Sequence, residues 1–535
     1  MSKKKLIAAG FFTLATLGIM MPATTGSPAV PQKAATRARL GATAAAAAIE
    51  WSAPVTLSRT AFHSTQPTLS LDAKGQVYAA WTEWTGSGWG RNMMFATNAG
   101  GAWGPAIVVA PLQYDAIDDV GFPTVAATPS GSAYVAYHDG DMAAQRMIIR
   151  GALYANGIMG PVADISQTTG PTSYVVLGIS PLDESLFGMW MEDTGTHFDL
   201  GTRYRDGKTG AWTPTDLVPV MLNTGKYTYQ VNHIAFDLRG KAHAVFQTRY
   251  NKAQVWYTGN PTPKNLAAWT EPFLIAPDTR LSDVLPRVQA DKDGDAYVVW
   301  HEMVNDNEEV LFRRTVNGVW QATENLSHSA AASENPSIAV DPDSKEIFIV
   351  WQEQVNASNW DVFMNSYMAK AGGADMAWTG PVNMTNSPGR TLEPNIAAMP
   401  GGDLYLVYQD DISGSGGRAE ILFSSKVTPP KPKLQAPLAP ALKTTVSRIL
   451  FASRKANVLS FAPNAANDAT TLQEYRIYRR KIQEDDDAFV LLAALDLGTF
   501  GYKDANLITK QKYAYRIGVV NKDGDEKLSD IIAEK

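Results

Sequence analysis

Residues 285–302, LPRVQADKDGDAYVVWHE, decide the fold. Pro286 leads an alternating apolar run, an Asp/Gly turn follows, and a second alternating run ends in Trp300 and, two residues on, Glu302. Period-two alternation on both sides of a tight turn marks a β-hairpin, not a helix. The unit recurs as QPTLSLDAKGQVYAAWTE from Gln66, FPTVAATPSGSAYVAYHD from Phe122, NPSIAVDPDSKEIFIVWQE from Asn335 and EPNIAAMPGGDLYLVYQD from Glu393. Looser copies, VVLGISPLDESLFGMWME from Val175 and NHIAFDLRGKAHAVFQT from Asn232, bring the count to seven.

A third strand follows each hairpin, as in VLFRRT from Val310, and a turn such as Asn317-Gly318 leads to a fourth that opens with an aromatic. The fourth-strand markers are Trp51, Trp103, Met159, Trp212, Trp269, Trp320 and Trp378, spaced 51 to 58 residues apart. Trp51 precedes every hairpin, while the seventh hairpin is followed by a third strand, ILFSSKV at 421–427, and no fourth. Seven hairpins therefore match seven fourth strands only if EWSAPVTLS, from Glu50, completes the last unit. The alternative, an open superhelical array, has no use for the offset strand. The expected fold is all-β: a seven-bladed β-propeller over 50–427, closed by its N-terminal strand so that no sheet edge stays open.

The repeat, P-x-[IV]-A-x-D-x-x-G-x-x-Y-V-V-W-x-[ED], resembles the propeller repeats of sialidase-superfamily and related exported bacterial proteins. Across 50–427 the resemblance implies the fold; propellers host many unrelated functions. The family's Asp-box, S-x-D-x-G-x-x-W, is not reproduced: Ser70-Leu71-Asp72-Ala73-Lys74-Gly75 carries an extra residue before its glycine.

Residues 1–29 read as a signal peptide: Lys3, Lys4 and Lys5, an apolar run from Leu6 to Met21, then small residues through Ala29. The competing reading is a membrane anchor, but the run is shorter than the roughly 20 residues a spanning helix needs. After cleavage no membrane span is expected, and the protein should be secreted or periplasmic. Residues 30–49 read as a flexible leader. The chain has 0 cysteines, which removes disulfides, thiolate nucleophiles and Cys-ligated metals. Its formal net charge of -6 argues against a nucleic-acid partner, which needs a clustered basic surface.

TPPKPKLQA, residues 428–436, is a Pro-rich linker. The strands beyond it, VLSFAP from Val458, EYRIYRR from Glu474, FVLLAAL from Phe489 and KYAYRIGVVNKDGDE from Lys512, resemble a fibronectin type III domain over 437–535. The resemblance implies that Phe461 replaces a core Trp, and that Tyr513, six residues after Leu507, forms a tyrosine corner whose phenol bonds back to the chain. It implies a spacer or adhesion module without catalysis.

Each second strand should end on the face that carries the connections between blades. There stand Glu83, Asp139, Glu192, Thr248, Glu302, Glu353 and Asp410, each two residues after an aromatic. Six acids suggest cation binding or acid–base work, yet a feature repeated in every blade reads better as a structural device. Ligand contacts are expected where blades differ. His138 and His301 stand where other blades have Thr, Met or Gln. His233 and Arg287 open inner strands at positions held elsewhere by Thr68, Thr124, Val176, Ser337 or Asn395. Arg59, Arg280 and Arg390 lie in incoming loops, and Tyr114, Asp118 and Asp119 in an acidic one. Arginines facing carboxylates beside a tyrosine would suit an anionic sugar; the six acids on that face oppose it. No cofactor is expected. Asp291-Lys292-Asp293-Gly294-Asp295 and Asp523-Gly524-Asp525 resemble calcium loops, but hairpin turns favour Asp and Gly without any ion.

The expected function is non-catalytic recognition or adhesion by a monomer binding a glycan or an extracellular protein on one propeller face. A sialidase-like or other carbohydrate-active hydrolase or lyase is the alternative.

Overall fold

The computed structural model describes residues 50–535 except 59–60, 87–89, 113–120, 142–145, 197, 218–227, 251, 282–283, 370–375, 412–417, 428–433, 450–451, 468, 470 and 523. The signal and leader segments lie outside the described residues, as do Arg59, Tyr114, Asp118, Asp119 and residues 428–433 of the linker.

Seven antiparallel sheets make a β-propeller. Blade 1 consists of Ser64–Leu71, Val77–Trp84, Arg91–Thr97 and Ile107–Leu112, in that order from the inside out. Blades 2 to 6 repeat the meander over 121–164, 172–217, 228–276, 287–325 and 333–383. Blade 7 takes Thr391–Ala398, Leu404–Asp410 and Glu420–Lys426 from the end of the repeat and Val55–Thr56 from its beginning. Val55 pairs with Phe423 and Thr56 with Leu422, so the N-terminal strand closes the ring.

Each blade interface has its own hydrophobic cluster. Tyr78, Phe95, Val125 and Val135 join blades 1 and 2, and Leu57, Trp81, Val407 and Phe423 join blade 7 to blade 1. Both faces of a second strand are thereby buried, which is why Val77–Trp84 is apolar nearly throughout. In four blades the fourth strand opens at the aromatic marker, Met159, Trp212, Trp320 and Trp378 pairing with Tyr154, Arg205, Thr315 and Tyr367, and pairing resumes at Ala163, Asp216, Glu324 and Val382. In the other three the strand begins four positions after the marker, at Val55, Ile107 and Phe273. The marker itself turns toward the preceding blade, as Trp103 does onto Phe423 at 4.9 Å and Trp378 onto Phe312 at 5.3 Å between ring centroids.

The repeated Asp closes the inner hairpin. Asp72 Oδ1 accepts from the N–H groups of Lys74 and Gln76, and Asp291 Oδ1 from those of Asp293 and Asp295. In the calcium-like loop the centre is taken by a side chain. Lys345 Nζ lies 2.9 Å from Asp291, 2.9 Å from Asp293 and 3.9 Å from Asp295.

Beyond the propeller, Leu438–Ile449, Ala452–Ala462 and Gly501–Leu507 form one sheet. Leu472–Lys481, Val490–Leu495, Tyr513–Asn521 and Glu526–Leu528 form another, and both line one core with Phe461 and Tyr475 in ring contact at 4.9 Å. The sandwich starts before 437. Gln435 is held through its backbone by Asn467, and the Ala436 carbonyl by Asn464. The expected phenol bond from Tyr513 back to the chain is not found among the described residues; Tyr515 Oη bonds two side chains, donating to Asp504 at 2.7 Å and accepting from Asn457 at 2.9 Å. The Tyr513 ring instead carries the Lys455 ammonium and the Arg479 guanidinium.

Candidate functional site

The carboxylates at the ends of the second strands take hydrogen bonds from their own surroundings. Residues i and i+2 of a strand share a face, so a Trp indole can reach the acid that follows it. Trp81, Trp190, Trp300 and Trp351 donate Nε1–H to Glu83, Glu192, Glu302 and Glu353 at 3.5, 3.2, 2.8 and 2.9 Å. Thr248, which replaces the acid in blade 4, accepts instead from Trp256 at 3.2 Å. Asp139 is held by Arg150 at 2.7 Å and Asp410 by the Ser387 hydroxyl at 3.0 Å. Burial raises Glu192 and Glu302 above the usual carboxylate range, and raises Asp410 to about 6.

The residue between aromatic and acid points to the other face and meets the next blade. Gln247 Oε1 accepts the backbone N–H of Val284, Gln352 Oε1 that of Glu393, and His138 Nδ1 that of Tyr174, at 3.1, 3.0 and 3.2 Å. His138 thus occupies the same inter-blade position as two glutamines, and its ring stacks on Phe122 at 5.2 Å. The backbone it meets is strained. The inner strand bulges just before the Pro position, with Gln66, Phe122, Tyr174, Leu285, Asn335 and Glu393 all at positive φ, from 37° to 59°. Bulky side chains in this region cost of order 1–3 kcal/mol each and persist only where the surroundings impose them.

The other candidates do not converge. His301 is buried in blade 5. His233 is half-buried, its Nδ1 3.0 Å from the Val288 carbonyl, and burial with the nearby Arg287 lowers its pKa to about 3. Arg280 pairs with Asp306 at 2.6 Å, and Arg390 stands in the connection entering blade 7, where its carbonyl accepts from Asp411.

Two groups on the connection-bearing face were missed. The first is an arc of polar side chains. Glu334 shares a hydrogen bond with Glu308 of blade 5 and accepts from Gln352 at 3.1 Å. Gln352 holds Glu393, whose carboxylate accepts the Gln66 N–H at 2.6 Å, and the Gln66 side chain accepts from Thr82 and from the Phe122 N–H, both at 3.0 Å. The polar residues next to each repeat's proline were the available signal. The second group is Trp84, with the Arg91 guanidinium 4.9 Å above its ring and His63 edge-on at 6.2 Å. Burial lowers the His63 pKa against an opposing pull from Asp411, and Arg91 lowers it further.

Burial and the Glu308 carboxyl raise Glu334 from 4.5 to about 8. The folded chain therefore keeps a proton that the unfolded chain has lost. That stability is fully present below pH 4.5 and is lost as the pH rises through about 8. His233 acts oppositely: its contribution is present above 6.5 and lost as the pH falls toward about 3. Above neutrality only the carboxyl matters. Wild type should lose about 1 kcal/mol more than Glu334→Gln between roughly pH 7 and pH 9. Urea titrations of both proteins across that range check this, and parallel curves would remove the proton from the pair.

No family model matches the chain, and no curated protein matches it. Among solved structures it is similar to a protein of unknown function from Dyadobacter fermentans, with 13% identity, a TM-score of 0.43, and coverage of 70% of this chain and 97% of that one. It is also similar to a polysaccharide lyase described as an ulvan lyase, at 9% identity and a TM-score of 0.49, covering 69% of this chain and 95% of that one. An intramolecular trans-sialidase from Ruminococcus gnavus gives 10% identity and a TM-score of 0.41, covering 71% and 98%. Likenesses this distant decide no activity and no ligand.

Proposed function

We propose that this chain is an exported, monomeric recognition protein whose propeller binds a glycan on its connection-bearing face, with the C-terminal sandwich as a fibronectin type III-like spacer. The observation that carries the reading is the use made of the six acids. Each accepts a hydrogen bond from a Trp, an Arg or a Ser of its own blade or an incoming connection, which ties it to the scaffold. What the face offers a ligand is Trp84 with Arg91 and His63, and amides and carboxyls along the arc, a mixture of ring faces and polar groups that suits a sugar. Among the described residues no helix is long and apolar enough to cross a membrane; export rests on the N-terminal sequence.

A second reading, a carbohydrate-active hydrolase or lyase, is favoured by one feature. A carboxyl that keeps its proton near neutrality, beside a second carboxyl, has the makings of a general acid and its partner. One experiment separates the two. The wild type, Trp84→Ala and Glu334→Gln are applied to an array of sialylated, uronate-bearing and neutral glycans, and the eluates are analysed for cleaved products. Recognition predicts retention of one glycan class without cleavage, weakened about tenfold or more by Trp84→Ala. Product formation abolished by Glu334→Gln would establish the enzyme instead.

A further inference from the structure

Blade 2 breaks the Trp-to-acid pattern. It has Tyr137 where four blades have Trp, and Asp139 where those four have Glu. Arg150 satisfies Asp139 from the neighbouring strand, leaving nothing for the phenol to do. The Tyr137 side chain is fully buried and its hydroxyl has no hydrogen-bond partner among the described residues. Tyr408, its counterpart in blade 7, bonds to Ser424. An unmet buried hydroxyl costs roughly 1–3 kcal/mol, and burial raises the Tyr137 pKa, so the group stays a neutral O–H.

Tyr137 is among the residues that line an open cavity of about 570 Å³ on the flank of the propeller, between the outer strands of blades 1 and 2. The volume falls within the roughly 300–1,000 Å³ of small-molecule sites. Val109, Pro111 and Val162 supply apolar walls. Arg150 reaches from buried Asp139 to Asp164, whose side chain is 59% exposed, at 3.1 Å. One cation against two carboxylates leaves a net negative site, which disfavours an anionic ligand. Alternating donors and acceptors over apolar walls instead suit the hydroxyls and C–H faces of an uncharged sugar.

We propose that the cleft between the outer strands of blades 1 and 2 binds a neutral saccharide unit, with the Tyr137 hydroxyl bonding a sugar hydroxyl and the Arg150–Asp164 pair holding its neighbours. The site takes one residue, Asp139, from the acids of the connection-bearing face, where it serves to hold Arg150, and does not rest on the reading given above.

Neutral oligosaccharides of glucose, galactose, mannose and N-acetylglucosamine serve as probes in calorimetric titrations of the full chain. Tyr137→Phe removes an unsatisfied group, so its melting temperature should equal or exceed that of wild type. Its affinity for the bound sugar should fall about five- to tenfold, and so should that of Asp164→Asn. Val319→Ala, at an exposed position on the outer edge of blade 5, should bind the same probe as wild type does. The proposal is overturned if no neutral probe binds, if Tyr137→Phe and Asp164→Asn bind unchanged, or if Tyr137→Phe melts lower. Loss with Trp84→Ala alone would assign the sugar to the connection-bearing face.

Discussion

A chain beginning at Arg59 is expected to melt roughly 5 °C or more below one beginning at Glu50, because the ring is then open at blade 7. The missing segment supplies the outer strand. Ser52 N–H donates to Ser425 and Leu57 N–H to Ile421, at 2.7 and 2.8 Å, and the Ser58 hydroxyl bonds Glu420 while accepting from the Ile421 N–H. Leu57 is 5% exposed in the cluster joining blade 7 to blade 1, and Trp51 packs on the cluster between blades 6 and 7. Losing the buried Leu costs about 2 kcal/mol and each hydrogen bond about 1 kcal/mol, so at least about 5 kcal/mol is removed. The strand Glu420–Lys426 would also become a free edge, open to pairing with another chain. Calorimetry on both chains decides the matter: coincident melts would mean that the first strand does not hold the ring.

Glu534→Ala should destabilise the C-terminal sandwich by about 3–5 kcal/mol, the usual cost of stranding a buried charge. Lys455 and Glu534 form an ion pair with side chains only 3% and 5% exposed. The ammonium also donates to the Gln511 carbonyl at 2.6 Å, while the other Glu534 oxygen accepts from Asn457. Asn457 in turn joins Tyr515, Asp504 and Arg479, so two cations face two carboxylates in one network. Removing Glu534 leaves an uncompensated cation; Glu534→Gln keeps acceptor capacity and should cost less. Urea unfolding followed by a probe in the sandwich measures both. An Ala variant as stable as wild type would show that the pair contributes nothing.

The site was less legible than the fold, for reasons visible in particular residues. Glu308 and Glu334 are neighbours only because the third strand of blade 5 meets the inner strand of blade 6, and no local pattern signals that meeting. His138 drew notice as an exception at its repeat position, yet its place against the Tyr174 N–H depends on a bulge in blade 3. Tyr513 and Tyr515 lie on the same face of one strand; which phenol is bonded depends on Asn457 and Asp504, contributed by two other strands.

What the amino-acid sequence determined by itself was whatever a strand and its turn encode locally. Alternation, the Asp/Gly turns and the regular aromatic markers specified seven four-stranded units, and the offset of Trp51 specified how the ring closes. The tertiary structure alone decided which side chain meets which across the blade interfaces. It turned the acids onto indoles, set Lys345 among three aspartates and left the buried Tyr137 hydroxyl without a partner among the described residues. The reason is the range of the interactions. Backbone pairing acts between consecutive strands and leaves its mark on a short stretch of sequence, whereas contacts between blades join residues some fifty positions apart, whose partners are set only when the ring is closed.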